Sequence, residues 1–166
     1  MVSATDLQTR NRSLYDRLYV AQEDLRQAKY FVAHILKKGW HFQAWERRWT
    51  TYMQQSAFTT ALVIAYARPF VESRGWPRLP KRLAPYSKEQ KALHNAILEL
   101  RKKVYAHSDI ERRNLRPFDI NGEPSAIETL PEMRLTKGEA QMLSRMIDLT
   151  YSAICIRLKE LVDLIE

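Results

Sequence analysis

The sequence predicts an all-α protein, a four-helix bundle with a long irregular insertion between its third and fourth helices. Apolar residues recur at steps of three and four along four long segments, which is the period of one helix face. Only 4 glycines occur among 166 residues, and this argues against a turn-rich β protein. We expect one domain covering residues 1–166, long enough to enclose a sizeable core.

The first two helices are predicted from their apolar stripes. The first stripe spans residues 14–35, and Gly39 follows two lysines at a suitable place for the helix to stop. The second helix is predicted over residues 42–73 from its apolar residues: Trp45, Trp49, Met53, Phe58, Leu62, Val63, Tyr66 and Phe70. Pro69 should bend or interrupt it, because proline lacks the backbone donor that a helix interior requires.

Capping signals precede the third and fourth helices. Ser87 with Gln90, and Thr136 with Glu139, each have the spacing of a capping box. The third helix then carries Leu93, Ile97, Leu100 and Val104, and the fourth has its stripe over residues 143–165. The insertion between them covers residues 110–135. Within it, Asn121–Gly122 is a turn signal that favours a small hairpin.

The charge is unevenly distributed. The chain has a formal net charge of +8, and residues 68–103 alone hold ten Lys/Arg against three Asp/Glu. Such a basic region attracts a polyanion such as RNA, although a solvated basic face without a partner is an equally good interpretation. The longest apolar run, residues 57–67, is too short to span a bilayer, so we expect no membrane association. A lone cysteine, Cys155, lies in an apolar stretch and suits a reducing cytoplasm as a buried, inert thiol.

One short segment carries candidate chemistry. Arg101 and His107 lie six positions apart at the end of the third predicted helix. Arginine is a permanent cation whose fork of donors fits phosphate, and histidine transfers protons near neutral pH. Together they suffice for breaking a phosphodiester without a metal. The alternative is that these are ordinary cations and a capping histidine at a helix C-terminus.

These residues resemble the HEPN family, four-helix domains found in prokaryotic toxins, phage-defence proteins and CRISPR ribonucleases. The family motif is an arginine, four to six residues and then a histidine near the end of the third helix, and Arg101 and His107 fit it with five residues between them. The segments Tyr66-Ala67-Arg68-Pro69-Phe70 and His107-Ser108-Asp109 further resemble a subgroup linked to abortive infection. The residue after the motif arginine is Lys102, where the family usually has a different polar residue.

The resemblance implies a metal-independent endoribonuclease that leaves 2′,3′-cyclic phosphate and 5′-hydroxyl ends. Arg101 and His107 would be catalytic, and the substrate would be held by a wider set: Lys102, Lys103, Arg68, Tyr66, Ser108 and Asp109. We expect no cofactor, and no Cys/His spacing indicates a metal site. The implied setting is a toxin–antitoxin pair or phage defence, with a nucleotidyltransferase or another antitoxin as a partner.

Helix geometry bears on how the two catalytic candidates meet. Six helical steps place Arg101 and His107 roughly 120° apart around the axis and about 9 Å apart along it. One straight helix therefore does not direct both at one phosphate, so either the helix loosens near Ala106 or two chains share the site. The family resembles the second case, and we expect a homodimer. Two other functions stay open: a non-catalytic HEPN module that binds RNA or nucleotide, and a protein-interaction bundle.

Overall fold

The described part of the chain contains four long helices and one hairpin. In order they are α1 (Ala4–Lys38), α2 (Trp49–Ala67), α3 (Lys88–Tyr105), β1 (Asn114–Ile120), β2 (Glu123–Thr129) and α4 (Lys137–Ile165). The computed structural model describes residues 4–43, 45–72, 76, 79–105, 114–129 and 134–165. The predicted all-α helical bundle is confirmed. None of the described helices has the length and hydrophobicity needed to cross a bilayer.

The core lies where α1 faces α4 and α2. The predicted stripe of α1 is completely buried: Leu18, Ala21, Leu25, Ala28, Val32 and Ile35. The α4 stripe is buried opposite it, from Leu143 to Leu161. Full burial of one leucine-sized side chain contributes about 2 kcal/mol, so these two stripes supply much of the driving force for folding. The third helix completes the bundle by packing against α2 and α4.

The predicted helix ends are confirmed in atomic detail. Gly39 has φ +62°, and its N–H donates to Leu36 O while Trp40 N–H donates to Ile35 O. This pair of hydrogen bonds is the Schellman arrangement, which requires the left-handed conformation that glycine adopts without strain. Both capping boxes close as well. Ser87 and Gln90 bond reciprocally ahead of α3, and Thr136 and Glu139 do so ahead of α4.

The predicted extent of the second helix, 42–73, is wrong at both ends. The chain enters α2 only at Trp49, and the side chain of Gln55 bonds both the N–H and the C=O of Phe42 in the preceding loop. At the other end the helix changes to a 3₁₀ turn over Arg68–Phe70. Pro69 lies in this turn, so the expected interruption at that proline is confirmed.

The expected apolar side of α2 is wrong in its first half and confirmed in its second. Trp45 and Trp49 are 81% and 62% exposed, and Met53 is exposed too. The later members of the predicted set are buried or packed against the core: Phe58, Leu62, Val63, Tyr66 and Phe70. In the first half the buried positions include Tyr52 and the polar residues Gln55 and Thr59, which a stripe defined by apolar residues alone misses.

The insertion is more regular than predicted over the residues that are described. Strands β1 and β2 pair in antiparallel register, with Ile120 opposite Glu123. Asn121 and Gly122 form the turn with φ of 55° and 88°. Positive φ at both positions is the geometry of a type I′ turn, so the predicted hairpin at Asn121–Gly122 is confirmed.

Candidate functional site

The last turn of α3 presents two of the predicted site residues. Arg101 is half-buried, Lys102 is exposed, and neither has a hydrogen-bond or ion-pair partner among the described residues. An unpaired guanidinium keeps its donors available to a phosphate. His107, Ser108, Asp109 and the side chain of Lys103 lie outside the described residues. The spatial relation of Arg101 to His107 therefore stays a prediction.

Arg68, another predicted substrate contact, lies in the 3₁₀ turn that follows α2. Its Nη1 lies 3.2 Å from Asp24 Oδ1, and half of its side chain is exposed. The turn itself is held by Arg17, which is almost completely buried and donates to the carbonyl oxygens of Arg68 and Pro69 at 3.1 and 2.8 Å. Arg17 thus holds the backbone of Arg68, and Asp24 pairs with its side chain, half of which stays exposed.

Two opposing effects act on the pKa of Asp24, which lies beside these arginines. Burial raises the pKa of this carboxyl, and the Arg68 hydrogen bond opposes that change. Burial also lowers the pKa of Arg17. The hydrogen bonds of Arg17 and the ion pair between Asp24 and Arg68 connect α1 to the end of α2. They position the segment from Arg68 to Phe70.

Tyr66, the remaining predicted contact, is completely buried and belongs to a chain of polar groups. Its hydroxyl lies 2.9 Å from His94 Nδ1 and donates to the Tyr86 hydroxyl at 3.3 Å. The Tyr86 hydroxyl lies 2.6 Å from Thr150 Oγ1. The side chain of Tyr66 therefore acts on any ligand through His94, and the structure offers it no direct contact with one.

The 2.9 Å contact with the Tyr66 hydroxyl engages Nδ1 of His94 and leaves Nε2 without a hydrogen-bond partner among the described residues. Burial lowers the pKa of His94, which favours the neutral imidazole. Burial likewise raises the pKa of Tyr66 and of Tyr86, and both phenols stay protonated.

His94 and Tyr86 also line a cavity of about 950 Å³ between α3 and the segment that follows α2. Phe70 forms a further aromatic wall, with its ring centroid 4.6 Å from that of His94 in an edge-to-face arrangement. Lys81 and Lys91 lie at the same cavity. Its volume falls in the range of about 300–1,000 Å³ that small-ligand sites occupy, and a neutral histidine in such a place is a candidate functional group.

The sequence alone does not indicate a role for His94. It lies thirteen residues before His107, nearly four turns along a helix, so no pairing of the two is expected within one chain. The residues that meet here come from four separate segments of the chain: Phe70, Tyr86, His94 and Thr150. No local sequence pattern predicts that they lie together. The nearest signal was the Tyr66–Phe70 segment, which was singled out for its family resemblance rather than for its contacts.

Contacts within the fold account for the two other described histidines, His34 and His41, and for Cys155. His34 is stacked on Phe58 with ring centroids 4.3 Å apart, as a packed histidine should be. His41 lies 3.0 Å, through Nδ1, from Leu135 O and is half-buried rather than on the surface. Cys155 is half-buried and accepts a hydrogen bond from Gln22. Within the described ranges no group of three or more His, Cys, Asp or Glu could hold a metal ion.

Comparisons with protein-family models, curated proteins and solved structures found no match to this chain.

Proposed function

We propose that this protein is a metal-independent endoribonuclease of the HEPN type. The observation that carries the proposal is the placement of Arg101 in the last turn of α3, half-buried and unpaired among the described residues, six positions before His107. A four-helix bundle is the architecture that this motif requires, and the chain has one. The third helix begins at a closed capping box, so its register up to Arg101 is well defined.

The proposed reaction needs a base, an acid and a cation. The 2′-oxygen of the RNA attacks the adjacent phosphorus, and its proton passes to a neutral imidazole of His107. The bond from phosphorus to the 5′-oxygen of the next nucleotide breaks, and that oxygen leaves with a proton from an imidazolium. The products are a 2′,3′-cyclic phosphate and a 5′-hydroxyl. Arg101 stabilises the negative charge that develops on the phosphoryl oxygens.

A homodimer supplies both forms of histidine at one site. Two copies related by a two-fold axis bring two Arg101 and two His107 to the shared cleft, so one imidazole acts as base and the other as acid. The helical geometry supports this arrangement, since residues six positions apart on a straight helix point in directions roughly 120° apart.

Electrostatics supports RNA as the substrate. Residues 68–103 carry a net charge of +7 within a total of +8. Lys102 is exposed beside Arg101, and Arg68 keeps half of its side chain exposed despite its ion pair with Asp24. Lysine and arginine at such positions contact the sugar-phosphate backbone without reading sequence. The cellular role that fits is that of a toxin or phage-defence component, held inactive by a nucleotidyltransferase or another antitoxin.

Purified variants test the assignment of the catalytic pair. With mixed RNA in EDTA, Arg101→Ala and His107→Ala should each lower the cleavage rate by at least about a hundredfold, because each removes a group that acts in the transition state. Arg101→Lys should keep part of the activity, since it retains the charge and loses the fork.

Lys159→Ala is the matched control for these variants. Lys159 is an exposed cation on α4 without a partner among the described residues. Its removal should leave the rate unchanged, while circular dichroism verifies that every variant is folded. Full activity in both Arg101→Ala and His107→Ala would refute the proposed catalytic pair.

A further inference from the structure

The hairpin of β1 and β2 is a two-stranded ribbon with little support from the bundle. None of the described helices makes more than marginal contact with either strand. Its tip is open to solvent, since residues 119–124 are all exposed. A ribbon of two strands is only marginally stable in water, and further strands or a packed face normally complete it.

The register of the hairpin determines which backbone groups face outward. Ile120 and Glu123 close the turn, and in a hairpin with a two-residue loop this closing pair exchanges hydrogen bonds. Bonded and non-bonded pairs then alternate along the ladder. The backbone N–H and C=O groups of every second residue therefore point away from the partner strand: at Leu115, Pro117 and Asp119 on β1, and at Pro124, Ala126 and Glu128 on β2.

The two prolines distinguish the two edges of this ribbon. Both occupy outward positions, where the missing N–H costs the hairpin no hydrogen bond. Pro117 lies in the middle of β1, so a strand added to that edge would lose the central bond of its ladder. Pro124 lies near the turn and leaves the outward N–H groups of Ala126 and Glu128 as neighbouring donors. No further strand pairs with β2 in the described part of the chain, and β2 is the edge that can accept one.

We propose that β2 pairs in antiparallel register with β2 of a second copy of this chain, so that two hairpins form one four-stranded sheet. An antiparallel pair of identical strands has two-fold symmetry, and a single edge therefore supplies both sides of the interface. The choice of a second copy rests on the dimer in the proposed function. The pairing itself does not depend on RNA cleavage.

The place of the hairpin in the chain supports a second copy as the partner. The hairpin is inserted between the end of α3 at Tyr105 and the start of α4 at Lys137, at the end of α3 that carries Arg101. Its first strand begins nine residues after α3 ends, which limits the separation to about 30 Å for any path of the chain. The two-fold axis of the proposed dimer passes beside Arg101, so the ribbon of each copy is within reach of that axis.

Charge restricts the register of the new strand pair. The second strand contains two acids, Glu123 and Glu128. With Glu128 on the axis, two like charges would be directly opposite each other, which destabilises a strand pair. With Ala126 or Ile127 on the axis, both acids are opposite uncharged residues of the second copy. Either of these registers keeps the outward donors of Ala126 and Glu128 in the new ladder.

Proline variants at matched outward positions test the edge. Ala126→Pro removes a donor from β2, Leu115→Pro removes one from β1, and neither N–H belongs to the hairpin ladder. Ala126→Pro should raise the dissociation constant of the dimer about tenfold or more, because two symmetry-related hydrogen bonds are lost. Leu115→Pro should leave it within about twofold of the wild type, since the β1 edge is unpaired. Sedimentation equilibrium measures the constant, and circular dichroism verifies that each variant is folded.

Disulfide crosslinking tests the same geometry without a proline. In a Cys155→Ser background, Ala126→Cys and Ile127→Cys are oxidised separately at low protein concentration. Pro117→Cys is the matched control, because Pro117 is directly opposite Ala126 in the hairpin and lies at the other edge. Residues that face each other in an antiparallel pair have Cα atoms about 4.5–5.5 Å apart, which a disulfide can bridge. Ala126→Cys or Ile127→Cys should give a covalent dimer, and Pro117→Cys should not.

The outcomes distinguish the sheet from the proposed nuclease. A dimer that Ala126→Pro weakens and that crosslinks through β2 supports the sheet, whether or not the protein cleaves RNA. A monomeric protein, a dimer that Ala126→Pro leaves unchanged, equal weakening by both proline variants, or crosslinking through Pro117→Cys alone would each overturn it. RNA cleavage by a protein with one of these last results would keep the nuclease assignment and remove only the sheet.

Discussion

His94 illustrates how a single residue acquires its properties from its surroundings. It lies on α3 one position after Leu93, which is buried, and its Nδ1 lies 2.9 Å from the Tyr66 hydroxyl. Burial lowers its pKa, which favours the neutral imidazole in the folded protein. Removing that hydroxyl with Tyr66→Phe would leave Nδ1 without its partner while the ring packing is kept.

The lowered pKa of His94 predicts how stability depends on pH. The unfolded chain binds this proton with an ordinary pKa of about 6.5, whereas the folded chain resists it. Stability from this site is therefore fully present above that value and is lost as the pH falls below it towards the lower folded pKa. The two phenols next to the ring do not obscure the effect, because burial raises the pKa of Tyr66 and of Tyr86 and both stay neutral over this range.

Urea unfolding of the wild type and of His94→Gln between pH 7.5 and 5 measures this effect. The wild type should lose more unfolding free energy than the variant over this interval. The other three histidines are the same in both proteins, so whatever they contribute cancels in the comparison. Parallel curves for the two proteins would contradict a folded pKa below the ordinary value for His94.

At the scale of elements, helix ends are defined by local chemistry. Gly39 ends α1 with φ +62°, and a Cβ built there meets no atom within 4 Å. Any cost of a side chain at this position is therefore conformational and not a clash. We expect Gly39→Ala to lower the unfolding free energy by about 1–2 kcal/mol, the cost of the left-handed conformation for an L-residue.

Gly138 supplies the matched control within the same chain. It lies in the first turn of α4 without positive φ, and a Cβ there also meets no atom within 4 Å. Gly138→Ala should raise the unfolding free energy by roughly 0.5 kcal/mol, because alanine restricts the unfolded chain and favours helix. Thermal melting of the two variants should therefore shift in opposite directions. Equal shifts would contradict the assigned helix end.

The difference between local and tertiary contacts explains how much of each element the sequence predicts. The stripes of α1 and α4, both capping boxes and the Asn121–Gly122 turn depend on residues near each other in the chain, and all of them were predicted. The start of α2 and the buried positions of its first half were not, because Gln55 is in the core and bonds the backbone of Phe42. That contact depends on tertiary packing, and an apolar pattern does not reveal it.

The two candidate sites also differ in how far the sequence predicts them. Arg101 was identified from a motif within one segment, and the structure places it in the last turn of α3. The cavity beside His94 was not foreseen, since Phe70 and Tyr86 reach it from other parts of the fold. Trp45 and Trp49 were expected in the core and are exposed: Trp45 precedes α2, and Trp49 is its first residue.

At the scale of the whole molecule, the proposed site belongs to two chains. If the shared cleft needs the histidines of both protomers, a heterodimer of one wild-type chain and one Arg101→Ala/His107→Ala chain retains only one Arg101 and one His107. Such a heterodimer, isolated with two different affinity tags, should cleave RNA at least about tenfold more slowly than the wild-type homodimer. Size-exclusion chromatography with light scattering should give the mass of a dimer.

A site built within one chain predicts a different result for this heterodimer. Its wild-type chain contains both groups, so it would keep about half of the wild-type rate. A monomeric wild-type protein with full activity would contradict the shared cleft as well. Both outcomes would leave the chemistry of Arg101 and His107 open to a cis arrangement and would remove only the two-fold site.

The chemistry itself is tested most directly by the ends of the RNA products. The wild-type protein is incubated with a single-stranded RNA of defined sequence in EDTA, and the fragments are identified by mass spectrometry. Attack by the 2′-hydroxyl predicts a 2′,3′-cyclic phosphate on one fragment and a 5′-hydroxyl on the other. Fragments with 3′-hydroxyl and 5′-phosphate ends, or RNA that stays intact until a divalent metal is added, would contradict the proposed mechanism.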